Sequence, residues 1–278
     1  MLELAARLDR LRGAEPAPAP RSPVEVLASR SDLAGSVAVA EVLANDEWPA
    51  AEARVDDGRW LADHVRLRLE STGRWLEKTL ADPSRGRSPL PGAGRMHQAI
   101  AEAAVAEDRE DDWAAELGRR FARSWAHRCL AILRTLRRET QRLRKEASPD
   151  LFALGPRAAR LERLDAALRR SLAAARADAD QAFAERFAGA FAAMLRRFVE
   201  AAEEPASLPV AAVERFAQAG PAAELRADLD AALRAAFREE RALLEAVVRA
   251  CIDCTDHPAM PQAAPEPDAA PAAESQTP

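Results

Sequence analysis

The side chains best suited to chemistry stand together near the C-terminal end, in Cys251-Ile-Asp-Cys254-Thr-Asp-His257. Two thiols and an imidazole at these spacings supply three of the four tetrahedral ligands that zinc takes. The fourth would come from Asp256, or from His127 or Cys129 if the helix that carries them lay alongside. Cys251, Cys254 and His257 are therefore the candidate metal ligands, and zinc is the one cofactor the sequence admits. The competing reading is structural: Cys251 continues an apolar helical stripe and Cys254 falls three residues on, where that helix frays. A redox Cys-x-x-Cys normally follows a strand in a βαβ unit, and no such unit is legible here.

The remaining groups with catalytic character lack partners. His64 follows Asp63, but sequence neighbours on a helix point in different directions. His97 follows a Gly-rich stretch with no evident base or acid beside it. Gly86, Gly92 and Gly94, with the arginines around them, match neither phosphate-loop pattern, and no strand precedes them. Serine elbow, His-Glu-x-x-His, calcium-loop and Glu-x-x-His patterns are all missing. The expectation is a non-enzyme.

A second kind of chemistry, anion binding, is offered by one long segregated run. Residues 102–116 carry Glu102, Glu107, Asp108, Glu110, Asp111, Asp112 and Glu116 against Arg109 alone. Residues 119–145 then carry Arg119, Arg120, Arg123, Arg128, Arg134, Arg137, Arg138, Arg142, Arg144 and Lys145 against Glu139. Acid at a helix start and base at its end complement the helix dipole, which is the plain reading. A polyanion- or nucleic-acid-binding face is the alternative. The net charge of −5 argues against a dedicated duplex-DNA binder, whose footprint is usually basic.

The elements that would position these groups are helices. The chain has 278 residues, no Tyr and only 11 Gly, and is dominated by Ala, Leu, Arg and Glu, all strong helix formers. Strand-favouring residues never alternate over a useful length. The pattern predicts an all-α fold: an elongated bundle of long antiparallel, coiled-coil-like helices. Residues 1–12 form a short N-terminal helix and 13–22 a Pro/Ala linker. Residues 23–81 form an N-terminal helical region in which Trp60 and Trp75 are expected to pack between helices. Residues 82–94 are a flexible loop, 95–255 the long-helix bundle and 258–278 a disordered tail. Within the bundle the periodicity predicts helices near 95–147 (one long helix, or two with a break near Glu107–Asp112), 156–204 and 222–253, with a chain break at Ser148-Pro149-Asp150. Leu161, Leu164, Leu168 and Leu172 read as a coiled-coil seam, followed by a phenylalanine row at Phe183, Phe187, Phe191 and Phe198.

Three cysteines, Cys129, Cys251 and Cys254, are too few for a disulfide framework. Met1-Leu2-Glu3-Leu4 opens no signal-peptide core, and no uncharged apolar run reaches the roughly 20 residues of a spanning helix. The expectations are a cytoplasmic location and no membrane insertion.

The segment Arg119–Glu200 resembles an uncharacterised family of all-helical proteobacterial proteins. The likeness is carried by Leu136-Arg137-Arg138, by Arg160-Leu161-Glu162-Arg163-Leu164-Asp165-Ala166-Ala167-Leu168 and by Glu185-Arg186-Phe187. Members are encoded beside MotA/ExbB-like and OmpA-like membrane proteins. The resemblance implies a soluble accessory to an ion-driven envelope complex and carries over no catalytic residues. The functional expectation is thus a scaffold or adaptor with protein partners, itself among them as a homo-oligomer. Polyanion binding along 119–145 and a metal- or redox-responsive switch at Cys251 and Cys254 are the alternatives.

Overall fold

The computed structural model describes residues 33–44, 58–82, 92–106 and 111–254. The short N-terminal helix, the Pro/Ala linker, most of the 82–94 loop, His257 and the 258–278 tail lie outside the described residues. The fold is all-α: α1 (Leu33–Ala44), α2 (Arg59–Ala81), α3 (Ala93–Ala104), α4 (Trp113–Ala153), α5 (Pro156–Ser171), α6 (Ala173–Glu200), a 3-10 turn at Pro205–Ser207, α7 (Val210–Gln218) and α8 (Pro221–Asp253). No strand occurs among the described residues.

Helix α2 starts at Gly58, whose φ of 65° only glycine adopts at little cost. The Gly58 carbonyl accepts the N–H groups of Leu61 and Ala62 at 3.0 and 3.2 Å. A Cβ there would also lie 3.1 Å from both Ile252 and Leu154, so the start of α2 sits tightly against the far ends of α8 and α4. From that start, Leu61, Val65, Leu69, Leu76 and Leu80 recur every turn or two and are buried. The same rule makes α8: Leu225, Leu229, Leu233, Phe237, Leu244 and Val248 form one buried stripe, which packs against α4, α2 and α5.

Helix α4 is the spine, and it corrects the expected break at Ser148-Pro149-Asp150. It runs through Pro149 to Ala153. A proline inside a helix costs about 3 kcal/mol. Two further apolar residues past it, Leu151 and Leu154, are buried in the core, and each contributes about 1.5–3 kcal/mol. Their burial offsets the proline, and the chain turns only at Gly155, at φ 125°, with Pro156 opening α5.

A second correction falls in the expected 156–204 helix. It is interrupted at Leu172, which has φ −92° and ψ −1° and donates its N–H to Leu168. No glycine or proline marks the place. The break is tertiary: α5 packs on α1 and α8, whereas α6 lies along α4 in the most extensive helix pair of the fold. Leu161, Leu164, Leu168 and Leu172 are half-buried, with Leu161 packed against the core, and the fully buried residues of α5 are Ala158, Ala159, Ala167 and Ser171.

The phenylalanine row behaves as the periodicity requires. Phe183, Phe187 and Phe191 are buried on α6, with Phe198 packed against the core. Trp125 of α4 lies 5.8 Å from the Phe187 ring and 5.3 Å from Phe191. Phe198 stacks on Phe216 of α7 at 4.6 Å. The approach of α4 to α6 is closest at Gly118, where a Cβ would stand 2.6 Å from the Ala192 Cα. His97 of α3 pairs its Nε2 with the Leu208 carbonyl at 2.9 Å, which ties α3 to the segment after the 3-10 turn.

Candidate functional site

The cysteines are built into the core. Cys251 ends the α8 stripe, is fully buried, and donates its Sγ–H to the Ala158 carbonyl of α5 at 3.6 Å. Cys129 is buried on α4. Burial pushes both thiols up to about 12, so neither is a nucleophilic thiolate at neutral pH. Cys254 is half-buried at the end of α8 and His127 is exposed. No group of three or more His, Cys, Asp and Glu that could hold a metal comes together among the described residues.

The ten bases of 119–145 occupy the outward half of α4, and neighbours capture those at its two edges. On one edge Arg128 donates to the carbonyls of Thr79 and Asp82, satisfying the C-terminal end of α2. On the other, Arg137 and Arg144 turn toward α5, α6 and α8. Between the edges, local acids neutralise much of the charge. Arg119 pairs with Glu116 and Asp112, Arg123 with Glu116, Arg138 with Glu139, and Arg142 with Glu146. Arg120 lies in a separate shallow groove with Arg95 and Glu102. Arg134 and Lys145 are exposed. The run is therefore not one continuous cationic face.

Arg134, Arg137 and Arg144 meet Arg169 of α5 and Arg176 of α6 around a cavity of about 300 Å³, at the level of the Leu172 break. Arg144 is the deepest, only 7% exposed. Its Nε lies 3.4 Å from Asp165 Oδ2 and its Nη1 3.5 Å from Glu240 Oε2. Glu240, from α8, also takes Arg176 at 3.3 Å, and Asp165 takes Arg169 at 2.8 Å. Arg137 forks onto both carboxylate oxygens of Asp180, with Nη2 to Oδ1 at 3.0 Å. Burial pushes the Arg144 guanidinium below its ordinary value, against the opposing pull of Asp165 and Glu240. Its buried Nε makes no hydrogen bond. Sequence reasoning reaches Arg134, Arg137 and Arg144 but not Arg169, Arg176 or their acids. Those sit on three other helices, and no spacing within α4 points to them.

The structure also corrects the expected packing of two tryptophans. Trp60 and Trp75 are 48% and 36% exposed, and Leu67 between them is 59% exposed. At about 100° per residue all three fall on one stripe of α2, turned away from its buried leucines. His64, Arg74 and Lys78 are exposed along the same stripe.

The sequence matches no protein-family model, and neither the curated proteins nor the solved structures contain a significantly similar chain. No helix among the described residues is long and apolar enough to cross a membrane.

Proposed function

We propose that this chain is a non-enzymatic helical adaptor of the cytoplasm that captures an acidic amphipathic helix of a partner protein on the outer stripe of α2. The observation that carries this reading is the exposure of Trp60, Leu67 and Trp75 together on one helical face. Large apolar side chains scattered singly on a surface are ordinary, but two tryptophans and a leucine aligned over four turns form the kind of patch that marks an interface. Tryptophan is also the residue most enriched among interface positions that dominate affinity. The rim sets the partner's sign: Arg74, Lys78 and His64 favour carboxylates flanking an apolar stripe. The resemblance of Arg119–Glu200 to helical proteins encoded beside envelope components makes a cytoplasmic segment of such a component the first partner to test.

The test compares affinity capture by the native chain and by a Trp60→Ala/Trp75→Ala variant, with cross-linking and mass spectrometry. The expected result is one defined protein, cross-linked to α2 through an acidic helical segment and lost with the variant, whose melting temperature is unchanged. Capture that is equal in both chains overturns the reading. Sedimentation that shows native self-association abolished by the same variant assigns the stripe to a second copy instead, and equally removes the adaptor assignment.

A further inference from the structure

We propose that the arginine-lined cavity between α4, α5, α6 and α8 binds a small molecule carrying a phosphate monoester. The charge count is the first argument. Arg134, Arg137, Arg144, Arg169 and Arg176 are answered there by three carboxylates, Asp165, Asp180 and Glu240. Arg144 is buried, Arg134 is exposed at the cavity, and the five together retain an excess of two positive charges, close to the charge a phosphate monoester brings near neutral pH.

The second argument is donor geometry. Each guanidinium offers five N–H groups and cannot lose its charge. The carboxylates hold one side of Arg137, Arg144, Arg169 and Arg176, so those guanidiniums are fixed in place while further N–H groups remain to donate. Arg134 has no carboxylate partner among the described residues and is exposed at the cavity. Arg144 is nine-tenths buried, with its Nε 3.4 Å from Asp165 Oδ2 and its Nη1 3.5 Å from Glu240 Oε2. Guanidinium N–H groups at the cavity that no carboxylate engages can donate to an oxyanion. Helix dipoles do not decide the sign, because the end of α5 and the start of α6 meet at Leu172 and offset one another.

The third argument is size. About 300 Å³ is the lower end of the range for small-molecule sites, enough for a phosphorylated sugar or similar metabolite. Binders of a nucleic-acid strand add aromatic platforms to their charged groove. The wall here carries Leu130, Ala173 and Ala177 and no aromatic side chain.

The experiment is isothermal titration of the full chain with glucose 6-phosphate, with glucose and inorganic phosphate as separate arms, in low-salt buffer. Three chains are compared: native, Arg134→Ala and Arg120→Ala. Arg120 is exposed outside the cavity, so its loss makes the same charge change elsewhere. Saturable binding of the sugar phosphate, none of glucose, and at least about tenfold weakening in Arg134→Ala but not in Arg120→Ala is expected. Binding of inorganic phosphate with the same dependence on Arg134 also supports the site and assigns recognition to the phosphate alone. No saturation by either phosphate overturns the proposal, as does equal weakening in both variants, which would mean diffuse surface charge. A heparin column separates the polyanion alternative: retention lost equally in Arg120→Ala and Arg134→Ala counts against a discrete cavity site.

Discussion

Replacing Gly118 by alanine sets two calculable effects against each other. Gly118 lies within α4, where alanine is favoured over glycine by about 1 kcal/mol. Against that, the added Cβ would stand 2.6 Å from the Ala192 Cα and 3.3 Å from its N and Cβ. Carbon atoms rest at about 3.5–4.0 Å, so α4 and α6 would have to separate by about 1 Å. No rotamer change relieves the clash, because the nearest atom is backbone. The separation would loosen the packing of Trp125 on Phe187 and Phe191 two turns further along. Overpacking of this kind typically costs about 1–3 kcal/mol, and with backbone on both sides the upper part of that range applies. The clash wins, leaving a net loss of about 1–2 kcal/mol, or a fall in Tm of about 2–8 °C for a chain of this size. Thermal melting followed by far-UV circular dichroism measures it. Gly94→Ala is the control: it sits in the first turn of α3 with nothing within 4 Å of the new atom, and should hold or raise Tm. A second variant tests the cause. Adding Ala192→Gly to Gly118→Ala leaves the 2.6 Å clash with the α6 backbone and adds the cost of a glycine inside α6, about 1 kcal/mol, so the double variant should melt no higher than Gly118→Ala. A Gly118→Ala chain that melts at or above the parent temperature refutes the close crossing of α4 and α6.

Two further perturbations probe buried ionisable groups. Burial raises the Asp230 carboxyl above its ordinary 3.8, despite Arg226, Arg234 and Arg128 around it. The ionised form is thus penalised in the fold, and stability from this group falls as pH rises above the ordinary carboxylate range. Asp230→Asn should therefore stabilise the protein at pH 7 and lose that advantage below about pH 4, as urea midpoints at the two pH values would show; a destabilised variant at pH 7 contradicts the sign. With Cys129 and Cys251 uncharged and enclosed, and Cys254 half-buried, iodoacetamide should add one group to the native chain and three in denaturant. Intact-mass spectrometry counts the adducts, and rapid native labelling of Cys251 would contradict its seat against the Ala158 carbonyl.

What the sequence makes legible is the face each helix buries; what it hides is which neighbour meets that face. The α8 stripe from Leu225 to Cys251 and the α6 row from Phe183 to Leu195 are buried as their spacing demands. Pro149 misleads because local propensity is a weak prior beside the burial of Leu151 and Leu154. Leu172 carries no local signal at all, since the break there reflects α5 and α6 serving different partners. Trp60 and Trp75 show the converse error: size and apolarity point inward by default, yet both stand on the stripe turned away from Leu69, Leu76 and Leu80.

The basic run joins these two kinds of information. Periodicity alone places all ten bases on the outward half of α4, and a reader of the sequence sees one cationic surface. Tertiary structure then divides that half by angle. Arg128, at one edge, is bonded to the end of α2, and Arg137 and Arg144, at the other, reach α6, α5 and α8. Between them, Arg119, Arg123, Arg138 and Arg142 meet acids of α4 or of its start, Glu116 and Glu146 among them. Beside Arg144 the other helices add two arginines and three carboxylates to the three arginines of α4, so an excess of two positive charges remains there. The Leu172 break lets α5 contribute Arg169 and α6 contribute Arg176 to the same cavity. A straight helix over 156–204 would not have freed α5 to reach α1 and α8 while α6 follows α4. The Leu172 break, which carries no sequence signal, is therefore the feature that gathers arginines of α5 and α6 beside the basic edge of α4 in one cavity.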